Sequence, residues 1–152
     1  HGGTTRARKL AEILNAPIAI VDKRRPRPNV CEATTIIGDV KGKNCIIVDD
    51  IADTCGTLCH AADKLKELGA NKVFAVITHG ILSGNAIHTI NQSALDELVI
   101  TDTIPLPQEK RCKKIKVLSV APLLSDVIAA IVNGHSLSFT LHEYASQTRR
   151  KK

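Results

Sequence analysis

Val48-Asp49-Asp50-Ile51-Ala52-Asp53-Thr54-Cys55-Gly56-Thr57 decides the reading of this chain. The apolar run before it, Cys45-Ile46-Ile47-Val48, reads as a strand that delivers two adjacent acids to a short loop of small residues. A helix follows, with Leu58, Ala61, Ala62, Leu65 and Leu68 on one face and Gly69 placed to end it. The acids suit a sugar diol or a hard cation. The loop N–H groups and the helix N-terminus suit a phosphate. A sugar phosphate with Mg2+ is the ligand that uses both halves.

Working outward, Thr4 or Thr5 can cap a first helix whose apolar positions are Ala7, Leu10, Ala11 and Leu14, and Asn15-Ala16-Pro17 ends it. Pro17 to Val21 reads as a short strand that runs into the basic cluster Lys23-Arg24-Arg25-Pro26-Arg27. Residues 24–35 carry two prolines and little periodicity, so a mobile loop is expected there. Strands follow at Asn44–Val48, Lys72–Thr78, Glu97–Thr101 and Ile115–Val120. Ser83 can cap a short helix with Ala86, Ile87 and Ile90. Pro122 opens another helix, which closes at Asn133-Gly134, and Ser136–Leu141 reads as a final edge strand. Strands alternating with helices predict an α/β fold, a mostly parallel sheet covered by helices on both faces. Ligands bind such sheets at the carboxyl ends of the strands. The basic loop, the 49–57 loop, the 79–84 loop and the turn Asp102-Thr103-Ile104-Pro105 are therefore expected on one rim.

The composition narrows the function. The chain has 152 residues, enough for a sizeable core in one domain. Only three aromatics occur, Phe74, Phe139 and Tyr144, which argues against a nucleic-acid binder that stacks bases. The net charge of +6 comes largely from the first basic cluster and from the tail Arg149-Arg150-Lys151-Lys152. The tail reads as a solvated surface; the first cluster, at a strand end, suits phosphate. Five cysteines with no zinc spacing suit reduced thiols and a cytoplasmic setting. No run is apolar enough to span a bilayer, so no membrane partner is expected.

Either of the acids Asp49 and Asp50 can reach a ribose hydroxyl directly or through Mg2+; Asp53 is a further charged partner or a turn acid. Thr54, Gly56 and Thr57 supply hydroxyls and close backbone approach. A loop that carries Lys23, Arg24 and Arg25 can close over a nucleotide and put positive charge on transferring phosphates, or it is a plain surface loop. The histidines show no ligand spacing, and His79 stands out only because it ends a strand at the rim.

Val48–Thr57 resembles the phosphoribosyl-pyrophosphate-binding signature of the type I phosphoribosyltransferase fold. More specifically, the chain resembles the C-terminal half of ribose-phosphate pyrophosphokinases. The match is carried by Gly2–Ala7, Asp22–Pro26, Ile37–Val40, Asp49–Thr57 and Thr78–Gly84, with Asp102–Pro105 and Asn133-Gly134 in support. It covers residues 2–142, so residues 1–142 are expected to be the C-terminal domain of a two-domain enzyme and 143–152 a basic tail. The resemblance implies transfer of the β,γ-diphosphoryl group of ATP to the C1 hydroxyl of ribose 5-phosphate, with Mg2+ and release of AMP. It implies that Asp49 and Asp50 hold the ribose hydroxyls and Mg2+, and that Asp53, Thr54, Cys55, Gly56 and Thr57 cradle the 5-phosphate. Lys23 and Arg25 match the catalytic pair of the family's flexible loop, and Ser136, Ser138 and Leu141 part of a regulatory site for phosphate or ADP-type nucleotides. Homo-oligomers, commonly hexamers, are likewise implied. The adenine contacts belong to an N-terminal domain outside this sequence, so the chain alone is expected to bind ribose 5-phosphate weakly and not to turn over. Many members carry Gly where this chain has Cys55.

Two other readings use the same residues. A nucleobase phosphoribosyltransferase would need a base-stacking hood, for which three aromatics offer little. A catalytically silent associated subunit would be expected to have a degraded acidic loop, whereas Asp49, Asp50, Asp53, Thr54, Gly56 and Thr57 are all present here.

Overall fold

The computed structural model describes residues 3–24 and 33–150. Contacts divide the chain into two compact units, His1–Leu118 and Ser119–Lys152. In the first unit, α1 (Gly3–Leu14) is followed by β1 (Ile20–Arg24) and β2 (Ala33–Ile37). Next come β3 (Asn44–Ala52), α2 (Gly56–Glu67), β4 (Lys72–Gly80), α3 (Ala86–Gln92), β5 (Glu97–Thr101) and β6 (Ile115–Leu118). A single 3-10 turn at Gln108–Lys110 lies between the last two strands.

Strands β3 to β6 form a four-stranded sheet in sequential order, parallel throughout, as the alternation of strands and helices predicts. Val73, Ala75 and Ile77 of β4 and Leu98 and Ile100 of β5 are fully buried against Leu58, Cys59, Ala62 and Leu65 of α2 and Ala86 and Ile90 of α3. Each fully buried Leu or Ile contributes about 1.5–3 kcal/mol over leaving it in water. Part-buried main-chain donors are answered by acids: the Val73 N–H donates to the Asp96 carboxylate at 2.7 Å and the Ala94 N–H to that of Asp63 at 2.6 Å. Helix α2 ends where Gly69 was expected to end it. Gly69 takes φ +90°, and its N–H and that of Ala70 return to the carbonyls of Lys66 and Leu65.

Several expectations need correction. Helix α1 begins at Gly3, so Thr4 and Thr5 lie inside its first turn. The first strand is Ile20–Arg24, three residues later than expected, where pairing with the following strand begins at Ile20 opposite Ile37. The run 24–35 is not all loop. Ala33–Ile37 is a strand that pairs antiparallel with β1, from Ile20 opposite Ile37 to Arg24 opposite Ala33. The β-branched residues Thr34, Thr35, Ile36 and Ile37 account for it. The basic residues after β1 therefore do not follow a strand of the parallel sheet, and the argument that placed them on its rim does not apply. Strand β3 runs through both acids to Ala52, because its pairing with β4 continues from Asp49 beside Ile77 to Ala52 beside Gly80. Leu68, expected on the buried face of α2, is 44% exposed beyond its last turn.

The second unit is two helices packed on each other, α4 (Ala121–Val132) and α5 (Leu137–Arg150). Pro122 opens α4 and Gly134, at φ +66°, follows its end, as expected. The edge strand expected at Ser136–Leu141 is instead the start of α5. The Ser136 hydroxyl accepts from the Phe139 N–H at 3.4 Å and its carbonyl from the Thr140 N–H at 3.1 Å, which nucleates a helix over a run that reads as alternating. The boundary drawn at residue 142 falls within α5. Among the described residues, no helix is long and apolar enough to cross a membrane.

Candidate functional site

The carboxyl end of β3 and the loop that follows bring the acidic residues and a helix N-terminus together. Asp49 and Asp50 point to opposite sides of the strand, yet Arg6 of α1 reaches both, at 3.7 Å from the Asp49 carboxylate and 3.0 Å from that of Asp50. The Asp50 N–H donates to the Asp49 carboxylate at 3.0 Å. Partial burial pushes the Asp50 carboxyl up, but its hydrogen bonding with Asp49, its own N–H, the Arg6 charge and the Ile51 N–H together hold it below the ordinary carboxylate range. The two carboxylates are thus already arranged around one cation, the Arg6 guanidinium. No cluster of three or more His, Cys, Asp or Glu side chains around one point occurs among the described residues. Two carboxylates fit Mg2+, which takes one or two from protein and completes its shell with water and substrate oxygens.

The loop is fixed from behind by the segment after β4. The carbonyl of Ala52 accepts from the N–H groups of Ile81 and Leu82 at 2.9 and 3.1 Å, and that of Asp53 from the Ser83 N–H at 3.2 Å. The Ser83 hydroxyl donates to the Asp53 carboxylate. Ser83 was expected to cap α3, but Asn85 holds that place and Ser83 braces the acidic loop instead. Leu82, fully buried with φ 52°, anchors the bracing segment.

Cys55 stands at the N-cap of α2 with φ 62° and ψ 3°, the left-handed region that favours glycine. A non-glycine residue there carries a cost of about 1–2 kcal/mol. The thiol is buried and donates to the Asp53 carbonyl at 3.7 Å. Burial, with Cys59 and Asp53 beside it, pushes it up to about 12, so it adds no negative charge to the loop. No side chain caps α2 and no acid lies in its first turn. The N–H groups of Gly56, Thr57 and Leu58 precede the first possible intrahelical bond, which Cys59 makes to Cys55 at 2.9 Å. Thr54, Gly56 and Thr57 are exposed beside them. An uncapped helix end with free N–H groups binds anions.

Of the residues singled out from the sequence, Asp49, Asp50, Asp53, Thr54, Cys55, Gly56 and Thr57 thus lie on one continuous segment, from the end of β3 through the loop into the first turn of α2. Lys23 lies in β1 opposite Thr34, and Arg25 lies outside the described residues. Ser136, Ser138 and Leu141 belong to the second unit, where Ser136 lines a groove of about 650 Å³ with Asp126, Asn133, His135 and Thr140. Arg6 and Ser83 were given no site role from the sequence. Arg6 lies in a segment that carried the family resemblance, but its partners sit more than forty residues away, and only the docking of α1 on β3 joins them.

Residues 2–142 match the phosphoribosyl synthetase-associated domain. A ribose-phosphate pyrophosphokinase of Caldanaerobacter subterraneus subsp. tengcongensis is 58% identical over 138 residues, 91% of this chain and 44% of that protein. The ribose-phosphate pyrophosphokinase of Bacillus subtilis is 53% identical over 139 residues, again 91% of this chain and 44% of the relative. The crystal structure of phosphoribosylpyrophosphate synthetase from Mycobacterium smegmatis superimposes with a TM-score of 0.77 at 37% identity, over 86% of this chain and 43% of that one. The chain spans a little under half the length of these relatives. With the match extending over residues 2–142, the chain belongs to the phosphoribosyl synthetase-associated domain family.

Proposed function

We propose that this chain is the ribose 5-phosphate-binding part of a ribose-phosphate pyrophosphokinase. The observation that carries the reading is the 49–57 segment, which sets two adjacent carboxylates, both reached by Arg6, beside an uncapped, acid-free helix N-terminus. Relatives bearing that enzyme's name, at 58% and 53% identity, support it.

In this reading the N–H groups of Gly56 and Thr57, with the hydroxyls of Thr54 and Thr57, hold the 5-phosphate. Asp49 and Asp50 bind the ribose hydroxyls and share Mg2+, which, when bound, neutralises phosphate charge. Asp53, braced by Ser83, fixes the loop against the sugar. Cys55 shapes the turn and stays a neutral thiol. The C1 oxygen bonds to the β-phosphorus of ATP and loses its proton, the bond from that phosphorus to the α,β-bridging oxygen breaks, and AMP leaves. Lys23 and Arg25 supply positive charge to the transferring phosphates. ATP and ribose 5-phosphate are the partners, in the cytoplasm and in a homo-oligomer. Ser136, Ser138 and Leu141 belong to a site for phosphate or ADP-type regulators. The chain alone lacks the adenine contacts and does not turn over.

The test is phosphorus NMR on the product of the whole gene with ATP, Mg2+ and ribose 5-phosphate. AMP and a C1-diphosphorylated sugar are expected, and both are lost in Lys23→Ala and Asp53→Ala. No turnover, with tight association to an active synthetase, would make the protein a regulatory subunit. Turnover only when a nucleobase and the activated sugar are supplied would make it a phosphoribosyltransferase.

A further inference from the structure

His79 is the second last residue of β4, and the sheet register sets it beside Ile51, one position past Asp50 and two before Asp53. Side chains alternate along a strand, so His79 shares a face with Ile77 and hence with Asp49, which pairs with Ile77. Its ring is part of a hydrogen-bonded cluster at the carboxyl ends of β4 and β5. Nδ1 lies 2.8 Å from the Thr103 hydroxyl. That hydroxyl lies 3.1 Å from the Thr78 carbonyl and 2.9 Å from the Thr101 hydroxyl, which itself donates to the Thr78 carbonyl at 2.6 Å.

Each hydroxyl has one proton to give, and each carbonyl can accept two. Thr101 gives its proton to Thr78. If Thr103 gives its own to Thr78 or to Thr101, its oxygen is left to accept, and the only donor facing it from the ring is Nδ1–H. With the Thr103 hydroxyl donating to the Thr78 carbonyl, the ring tautomer that completes the cluster has its proton on Nδ1, which leaves Nε2 as a lone pair with no hydrogen bond to any described residue.

We infer that the threonine cluster fixes His79 with Nδ1 protonated, so that Nε2 accepts a hydrogen bond from a hydroxyl of the bound sugar phosphate. The inference rests on the proposed function, since it takes ribose 5-phosphate as the ligand. Such an acceptor adds what the carboxylates lack: a neutral acceptor that holds a hydroxyl without competing for Mg2+ while Nδ1 stays anchored. It also gives the Thr78-His79 and Thr101–Thr103 segments a common purpose, the orientation of one ring at the rim.

Two measurements test it. Long-range proton–nitrogen NMR of the chain, with His79 assigned by its loss in a variant, should show Nδ1 protonated at neutral pH; a ring protonated on Nε2 overturns the inference. Ribose 5-phosphate affinity is then measured with Mg2+. His79→Leu should weaken it about tenfold, the worth of one hydrogen bond. His79→Gln, whose amide oxygen can stand near Nε2, should stay within about threefold. Thr103→Val keeps the ring but removes its anchor; it should weaken binding and shift the proton to Nε2, and it carries the test if His79→Leu does not fold. Unchanged affinity in His79→Leu and Thr103→Val, with normal wild-type binding, refutes the inference and leaves the proposed function intact. No wild-type binding of ribose 5-phosphate removes both.

Discussion

Replacing Gly80 with Ala tests the packing that holds the acidic turn in place. Gly80 pairs with Ala52, the last residue before the turn, and backs onto the buried Ile100 of β5. A Cβ at position 80 would lie 2.7 Å from the Ile100 Cδ1, 3.1 Å from Cγ2 and 3.3 Å from Cβ. Cδ1 sits on a rotatable bond, but Cγ2 and Cβ are fixed to the strand, and Ile100 has no free volume to enter because it is fully buried. Overpacking of this kind costs about 1–3 kcal/mol. Against it stands a gain of about 0.4–1 kcal/mol from the narrower unfolded ensemble, since Gly80 has no left-handed φ that Ala would strain. The net is a loss of about 1–2 kcal/mol by urea unfolding. Ile100→Val removes Cδ1 and on its own costs about 0.5–1.5 kcal/mol. With Ala at 80, the same change should cost little or nothing, because the methyl it removes is the one in shortest contact with the new Cβ and has no free volume to turn into. The double-mutant cycle should therefore show a favourable coupling of about 1 kcal/mol. Additivity within about 0.5 kcal/mol would refute the argument.

Three further outcomes are expected. Ser83→Ala removes the hydroxyl bond to an exposed Asp53, so stability should fall by less than about 1 kcal/mol, whereas ribose 5-phosphate affinity should fall about three- to tenfold and recover in Ser83→Thr; equal affinity for all three proteins would show that the brace is idle. The Cys55 thiol should resist iodoacetamide in the native protein to about pH 9, with its titration pushed up to about 12 by burial, and should react once the chain is unfolded; rapid native labelling at that residue would contradict the buried turn. The Val73 N–H holds the Asp96 carboxyl below its ordinary range; burial opposes the shift and Lys66 assists it. A depressed native value adds stability above the unfolded pKa of about 3.9 that is lost as pH falls through the native one. Acid unfolding of Asp96→Asn should therefore be shallower in that range, and an unchanged acid limb would refute the assignment.

The parallel sheet was legible because each of its strands is a short apolar run followed by a turn or a helix with a clear stripe, and pattern and propensity agree there. The hairpin of β1 and β2 was not, because the prolines and charges of 24–32 dominate the window and mask the β-branched run that ends at Ile37. Ser136–Leu141 was misread since Ser-Leu-Ser-Phe-Thr-Leu alternates as a strand does, while the feature that decides it, a serine cap after Gly134, is local hydrogen bonding rather than pattern. Within the site, the residues of one continuous segment could be named from sequence because they need no tertiary information. Arg6, Ser83 and the anchoring of His79 by Thr103 could not, since each is a contact between segments brought together only by strand order.

The most direct test of the central claim is a titration of the isotope-labelled chain with ribose 5-phosphate and Mg2+, followed amide by amide. The account predicts the largest shifts at the N–H groups of Asp53 to Thr57, weaker ones for inorganic phosphate at the same residues, and loss of the Mg2+-dependent part in an Asp49→Asn, Asp50→Asn double variant. Shifts centred elsewhere in a chain that binds, or the same response in the double variant, would contradict it.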